Sequence, residues 1–152
     1  MKKLIIIVTA LFILNNCGYS PIHSSKNNNF YIKKISQKNE SKLDSKITNN
    51  IKKFSNKDSK NTIELKISSN RKIDVIIKDE KGDPTKFRMT ILLNINILKK
   101  NNYKINKTKI LSVDFNYNTN ANKFSLKQYE KEIENNLINK VVEKSIIYLS
   151  EL

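Results

Sequence analysis

From Thr62 onward the chain alternates apolar and polar residues with a period of two. Ile63, Leu65 and Ile67 point one way, and Glu64, Lys66 and Ser68 the other. This is the pattern of a half-buried β-strand. It resumes with Ile73, Val75 and Ile77, which predicts a strand continuing past Asn70-Arg71 through a bulge. Asp79-Glu80-Lys81-Gly82-Asp83-Pro84 gathers the residue types that favour a turn. The returning arm carries Phe87, Met89, Ile91, Leu93, Ile95 and Ile97 on one face. Arg88, Thr90, Asn94 and Asn96 occupy the other, interrupted by Leu92 and Leu98. Asn101-Asn102 predicts a second tight turn, because Asn tolerates positive φ. Tyr103 to Tyr117 then runs back, with Leu111, Val113, Phe115 and Tyr117 alternating against Ser112, Asp114 and Asn116. Three antiparallel strands joined by tight turns make a meander.

On either side of this block the period changes. Leu43, Ile47, Ile51 and Phe54 mark one face of an amphipathic helix over roughly residues 40–55. Before it, the short run Phe30 to Ser36 reads as a strand. After the meander, Ser125-Leu126-Lys127-Gln128 has the form of a capping box. Behind it Ile133, Leu137, Ile138, Val141, Val142, Ile146 and Leu149 hold a helical stripe to the end of the chain. The pattern predicts an α+β two-layer sandwich of order β-α-β-β-β-α. A four-stranded, mainly antiparallel sheet carries both helices on one face and leaves the other wet.

The N-terminus has a different logic. Lys2 and Lys3 precede the apolar run Leu4 to Leu14, which ends in Leu14-Asn15-Asn16-Cys17. A bilayer-spanning helix needs about 20 apolar residues, so the run reads as an export signal closing at a lipid-modified cysteine. Leu14 suits the position three before that cysteine, while Asn16 stands where such signals usually carry Gly, Ala or Ser. Cys17 is the only cysteine and has no intrachain partner, so a disulfide is excluded and packing alone must hold the core. The expected organisation is a signal peptide over 1–16, a lipidated tether over 17–29 containing Pro21 and Asn27-Asn28-Asn29, and an α+β domain over 30–152.

Charge narrows the partners. The chain carries a formal net charge of +15, and all of its basic residues except Arg71 and Arg88 are lysine. Such a field attracts anionic surfaces: phosphates, acidic lipids or nucleic acid. Heavy use of Lys, Asn and Ile also fits an AT-rich codon bias, and most lysines on any surface merely solvate it. Nucleic acid explains the charge but not the signal, and Arg is scarce with no stacking pair evident on a basic face. Catalytic constellations are hard to find. The single histidine, His23, lies on the tether, and no Gly-rich phosphate loop, HExxH pair or Cys/His metal spacing is present. Asp79, Glu80 and Asp83 cluster beside Gly82 and Pro84, where a solvated turn is a simpler reading than a carboxylate dyad or Ca²⁺ loop. The expectation is a protein that binds, with no enzymatic activity and no cofactor.

Three segments together resemble one family. The opening Cys17-Gly18-Tyr19-Ser20-Pro21-Ile22, the hairpin arm KGDPTKFRMTILLNINIL and the ending DFNYNTNANKFSLKQYEKEIENNLINKVVEKSIIYL look like the LPS-assembly lipoprotein family, LptE. The resemblance implies a lipoprotein on the periplasmic side of the outer membrane, attached through Cys17 and complexed with the LptD-type β-barrel of the lipopolysaccharide translocon. In such a complex the α+β domain plugs and scaffolds the barrel and binds lipopolysaccharide through basic residues. The regions that match offer Lys78, Lys81 and Lys86 at the hairpin and Lys123 and Lys127 at the last helix. Tyr103, Tyr117, Tyr129 and Tyr148 are candidates for barrel docking. The other class left open is an exported lipoprotein that binds a different anionic envelope component, cell-wall polymer or acidic lipid, without a barrel.

Overall fold

A computed structural model of the chain describes residues 28–39, 41–98 and 105–152. Six elements follow in the expected order: β1 (Tyr31–Gln37), α1 (Lys42–Lys52), β2 (Thr62–Lys78), β3 (Pro84–Leu98), β4 (Ile105–Asn118) and α2 (Lys123–Ser150). The strands form one sheet of order β1-β2-β3-β4. β2, β3 and β4 pair antiparallel, whereas β1 runs parallel to β2. A parallel pair needs a crossover, and α1 supplies it. The turn expected at Asn101-Asn102 lies outside the described residues.

One-sided burial sets the register. Leu65 and Ile67 of β2 and Met89, Ile91, Leu93 and Ile95 of β3 are fully buried. Leu65 faces Ile97, Ile67 faces Ile95 and Leu93 faces Leu111, so odd-numbered side chains share one side of the meander. Both helices cover that side. Ile47 and Ile51 come from α1, and Ile133, Leu137, Ile138, Val141, Val142, Ile146 and Leu149 from α2. The even-numbered side is largely polar and open, apart from exposed Leu92 and Ile110.

Two sequence expectations shift for physical reasons. β2 passes through Asn70-Arg71 without a bulge; the irregularities fall between Val75 and Lys78. The polar residues Ser69 and Arg71 stay on the covered side because the helices bring them partners. Asp44 of α1, itself fully buried, accepts hydrogen bonds from the Ser69 amide (2.6 Å) and hydroxyl. Glu134 of α2 takes Arg71 at 2.5 Å and Lys46 of α1 at 3.3 Å, tying two helices and a strand together. The second shift is at the start of α2. Asn122, not Ser125, is the N-cap, its Oδ1 accepting from the amides of Phe124 (2.9 Å) and Ser125 (3.1 Å). Asn serves as well as Ser in that role and satisfies the orphan donors one turn earlier.

The sheet outruns its cover. At 1.5 Å per residue α1 is about 16 Å long, whereas β2 spans about 55 Å at roughly 3.3 Å per residue. Ile73, Val75 and Ile77 accordingly lie exposed beyond the end of α1. Over that outer region β4 and α2 provide a local closure. Tyr117 is 3 % exposed, stacks on Phe87 with centroids 5.5 Å apart, and donates its hydroxyl to Glu130 Oε1 at 2.7 Å. Burial, reinforced by the hydrogen bond the hydroxyl donates to the Glu130 carboxylate and by that carboxylate's charge, pushes the phenol well above the ordinary tyrosine range.

Asp44→Ala orphans the Ser69 amide and hydroxyl and is expected to lower stability by about 2–4 kcal/mol in chemical denaturation. Asp44→Asn, which keeps one acceptor, should retain part of that loss. Because the Tyr117 pKa is raised in the folded state, its contribution is fully present below the unfolded value of about 10 and is lost as pH rises beyond it. Wild-type stability should fall more steeply than that of Tyr117→Phe above about pH 10, as read from urea midpoints across the alkaline range.

Candidate functional site

The topology brings the two lysine groups to the same end of the domain. Lys78 pairs with Pro84 and Ile77 with Lys86, next to the β2–β3 turn. Lys86 in turn lies opposite Asn118, the last residue of β4. The Thr119 amide donates to the Thr85 carbonyl at 2.9 Å, locking the β4–α2 connection against the hairpin. Lys123 opens α2 a few residues later, and Lys127 follows one turn on.

Four of these lysines are exposed and Lys86 is half-buried. None forms an ion pair with another described residue, whereas Lys33, Lys46, Lys72, Arg71 and Arg88 all do. Their surroundings differ. At the hairpin tip, Asp79, Glu80 and Asp83 sit among Lys78, Lys81 and Lys86 and offset their charge. Asp79 is the structural acid of that turn: its Oδ1 accepts from the amides of Lys81 (2.9 Å) and Asp83 (2.8 Å), while Gly82 takes φ 87°. At the helix start no acid occupies the first turn, so Lys123, Lys127 and the positive end of the helix dipole add up. Lysines placed there disfavour the helix by a few tenths of a kcal/mol while strengthening the pull on an anion. The amides of that turn are already used by Asn122, so attraction there comes from lysine rather than from open backbone donors.

Lys86 projects from the open side of the sheet and α2 lies on the covered side, so the five lysines surround an end rather than line a cleft. This is a surface suited to a broad anionic partner, whose phosphates need charge nearby rather than a shaped pocket. Among the described residues no cluster of His, Cys, Asp and Glu could hold a metal ion, and no helix is long and apolar enough to cross a membrane. Cys17 and Tyr103 lie outside the described residues. The other tyrosines separate by burial. Tyr117 is core, and Tyr148 packs on the core with Lys109 Nζ 5.4 Å from its ring centroid. Tyr129 is 44 % exposed beside Phe115, in a groove of about 290 Å³ between β4 and α2. Reading period alone missed that groove, since it places Phe115 in the core; the spacing Tyr129, Ile133, Leu137, Lys140 along α2 is the trace it leaves in the sequence.

No known family's sequence profile matches the chain, and no curated protein matches it by sequence. Solved structures match its shape. A minor lipoprotein from Acinetobacter baumannii superposes with a TM-score of 0.59 at 12 % identity, covering 82 % of this chain and 92 % of its own. Lipoprotein B from Nitrosomonas europaea gives 0.58 at 13 %, covering 84 % and 86 %. The rare lipoprotein B from Shewanella oneidensis gives 0.55 at 9 %, covering 78 % and 94 %. At such identities the likeness is one of fold: the domain has a fold found in bacterial lipoproteins.

Proposed function

We propose that this protein is a lipid-anchored subunit of the lipopolysaccharide translocon on the periplasmic side of the outer membrane. There it scaffolds an LptD-type β-barrel and binds lipopolysaccharide without catalysing a reaction. The observation that carries the reading is the coincidence of Cys17, closing a short apolar run, with a domain whose fold is found in bacterial lipoproteins. Acyl chains on Cys17 supply the attachment, each buried methylene contributing about 0.8 kcal/mol. Gly18, rather than an acid, follows the cysteine. The domain then presents Lys123, Lys127, Lys78, Lys81 and Lys86 at one end, where their ammonium groups can neutralise lipid phosphates. Nothing in this mechanism requires bonds to be made or broken. Holding an amphiphile by distributed charge leaves it free to move on.

The test is a mild-detergent pull-down of the C-terminally tagged chain from its native envelope, with mass spectrometry of the partners and of the N-terminal peptide. An acylated peptide beginning at Cys17 and a stoichiometric large β-barrel are the expected result. Acylation without a barrel would leave a lipoprotein for another anionic envelope component, and an intact Met1 would remove the basis of the reading. Cys17→Ser should release the chain from the membrane fraction. Lys123→Ala with Lys127→Ala should weaken binding to lipopolysaccharide vesicles roughly thirtyfold at low salt, since each lysine near an anionic surface contributes about 1 kcal/mol, and much less at high salt. Lys78→Ala with Lys81→Ala should do less, because neighbouring carboxylates already offset those charges.

A further inference from the structure

β4 is an edge strand, and its outward backbone can be assigned residue by residue. The Thr119 amide bonds to Thr85 across the β3–β4 ladder, and the register runs without a shift from Lys86 opposite Asn118 down to Ile97 opposite Lys107. Odd-numbered residues of β4 therefore direct their N–H and C=O groups at β3. Even-numbered ones, Ile110, Ser112, Asp114 and Asn116 among them, direct theirs away from the sheet. An independent contact agrees: Lys144 Nζ of α2 reaches around to the Ser112 carbonyl at 3.3 Å.

This edge borders a groove. Phe115 with Tyr129, Ile133 and Leu137 forms its apolar half, and Val113 with Lys140, Lys144 and Ile147 belongs to its charged half, Lys140 lying in both. The α2 residues recur at spacings of three and four, so they form one stripe facing one strand edge. Phe115, Tyr129 and Ile147 keep between 41 % and 47 % of their surface exposed. Glu132 and Glu143 also line the groove, and Asp114 sits 4.0 Å from Arg88.

We propose that this edge and groove receive an extended segment of a partner protein, which adds to the sheet as a fifth strand. Its apolar side chains lie against Phe115 and Tyr129, and its acidic side chains lie against Lys140 and Lys144. Backbone pairing to the outward groups of β4 requires an extended occupant, as in other cases of strand addition. Charge selects which one. The chain is +15 overall, and Lys109 of β4 lies over the ring of Tyr148, one turn along α2 from Lys144. A second copy would bring the same lysines against themselves, whereas an acidic segment relieves their repulsion. Lys144 acts as a guard on the Ser112 carbonyl that an incoming amide displaces and an incoming carboxylate then engages. The proposal stands apart from lipid attachment and the translocon reading, and it survives if either fails.

The experiment is fluorescence anisotropy of labelled ten-residue peptides with the full chain in detergent micelles. The peptide pool carries Val, Leu or Phe at alternate positions in one half, Asp or Glu at alternate positions in the other and Thr elsewhere, in both chain directions. Saturable binding is expected, with affinity reduced roughly tenfold or more by N-methylation of alternate peptide amides, which removes the strand-pairing donors. Ser112→Pro, a substitution that edge strands tolerate where the amide faces outward, should weaken binding to a similar degree, and Lys140→Glu should weaken it too. If Ser112→Pro fails to fold by circular dichroism, the N-methylated peptide against the unaltered chain decides the question. The proposal is overturned if no peptide binds at millimolar concentration, if N-methylation is without effect, or if peptides with Lys in place of Asp and Glu bind equally well. Sedimentation showing a dimer that Ser112→Pro disperses would overturn it in favour of a second copy.

Discussion

Burial of the odd-numbered side chains of β3 beneath two helices is the interaction on which the rest of the structure depends. Met89, Ile91, Leu93 and Ile95 are inaccessible to solvent, and each sits between a residue of β2 and one of β4. Because side chains alternate, a slip of one residue in either pairing would turn that row outward. Register, the identity of the open face and the direction of every edge carbonyl follow from this one choice of side. Without a disulfide in the chain, nothing covalent reinforces it.

The same constraint explains why polar groups occur on the covered side and where they find partners. Ser69 and Arg71 fall there by parity, and the helices meet them with Asp44 and Glu134. A buried donor left unpaired costs about 1–3 kcal/mol, so these contacts guide where each helix lies rather than add much net stability. Glu134 is the most connected of them, since α1, α2 and β2 all meet at its carboxylate. Tyr117 and Glu130 play the equivalent part farther out, where α1 no longer reaches.

Because α1 reaches over only part of β2, the inner and outer parts of the sheet differ in packing. The inner part is packed. The outer part exposes Ile73, Val75 and Ile77 and ends in lysines that form no ion pair with another described residue. The lysines at that end are spread around a rim rather than focused in a cavity. Along the edge of β4, outward backbone groups border a groove that holds both apolar and charged side chains.

Much of this protein was legible in the residues alone. Period-two alternation through Ile63, Ile91 and Val113 and the stripe from Ile133 to Leu149 determined the element types, their order and the buried face, since repeat and burial are local properties of a chain. The lipid expected at Cys17, which lies outside the described residues, rests on the sequence alone. Other features required the tertiary structure. Ser69 and Arg71 looked like an interruption until Asp44 and Glu134 arrived from distant segments. Asn122 took the cap from Ser125, a choice between two adequate signals that only helix geometry makes. The convergence of Lys86 with Lys123, the burial of Tyr117 against the exposure of Tyr129, and the outward backbone at Ser112 all depend on how the hairpin, β4 and α2 are laid together. Periodicity assigns a residue to a face, but what covers that face, and where the cover ends, is set by contacts between segments far apart in the chain.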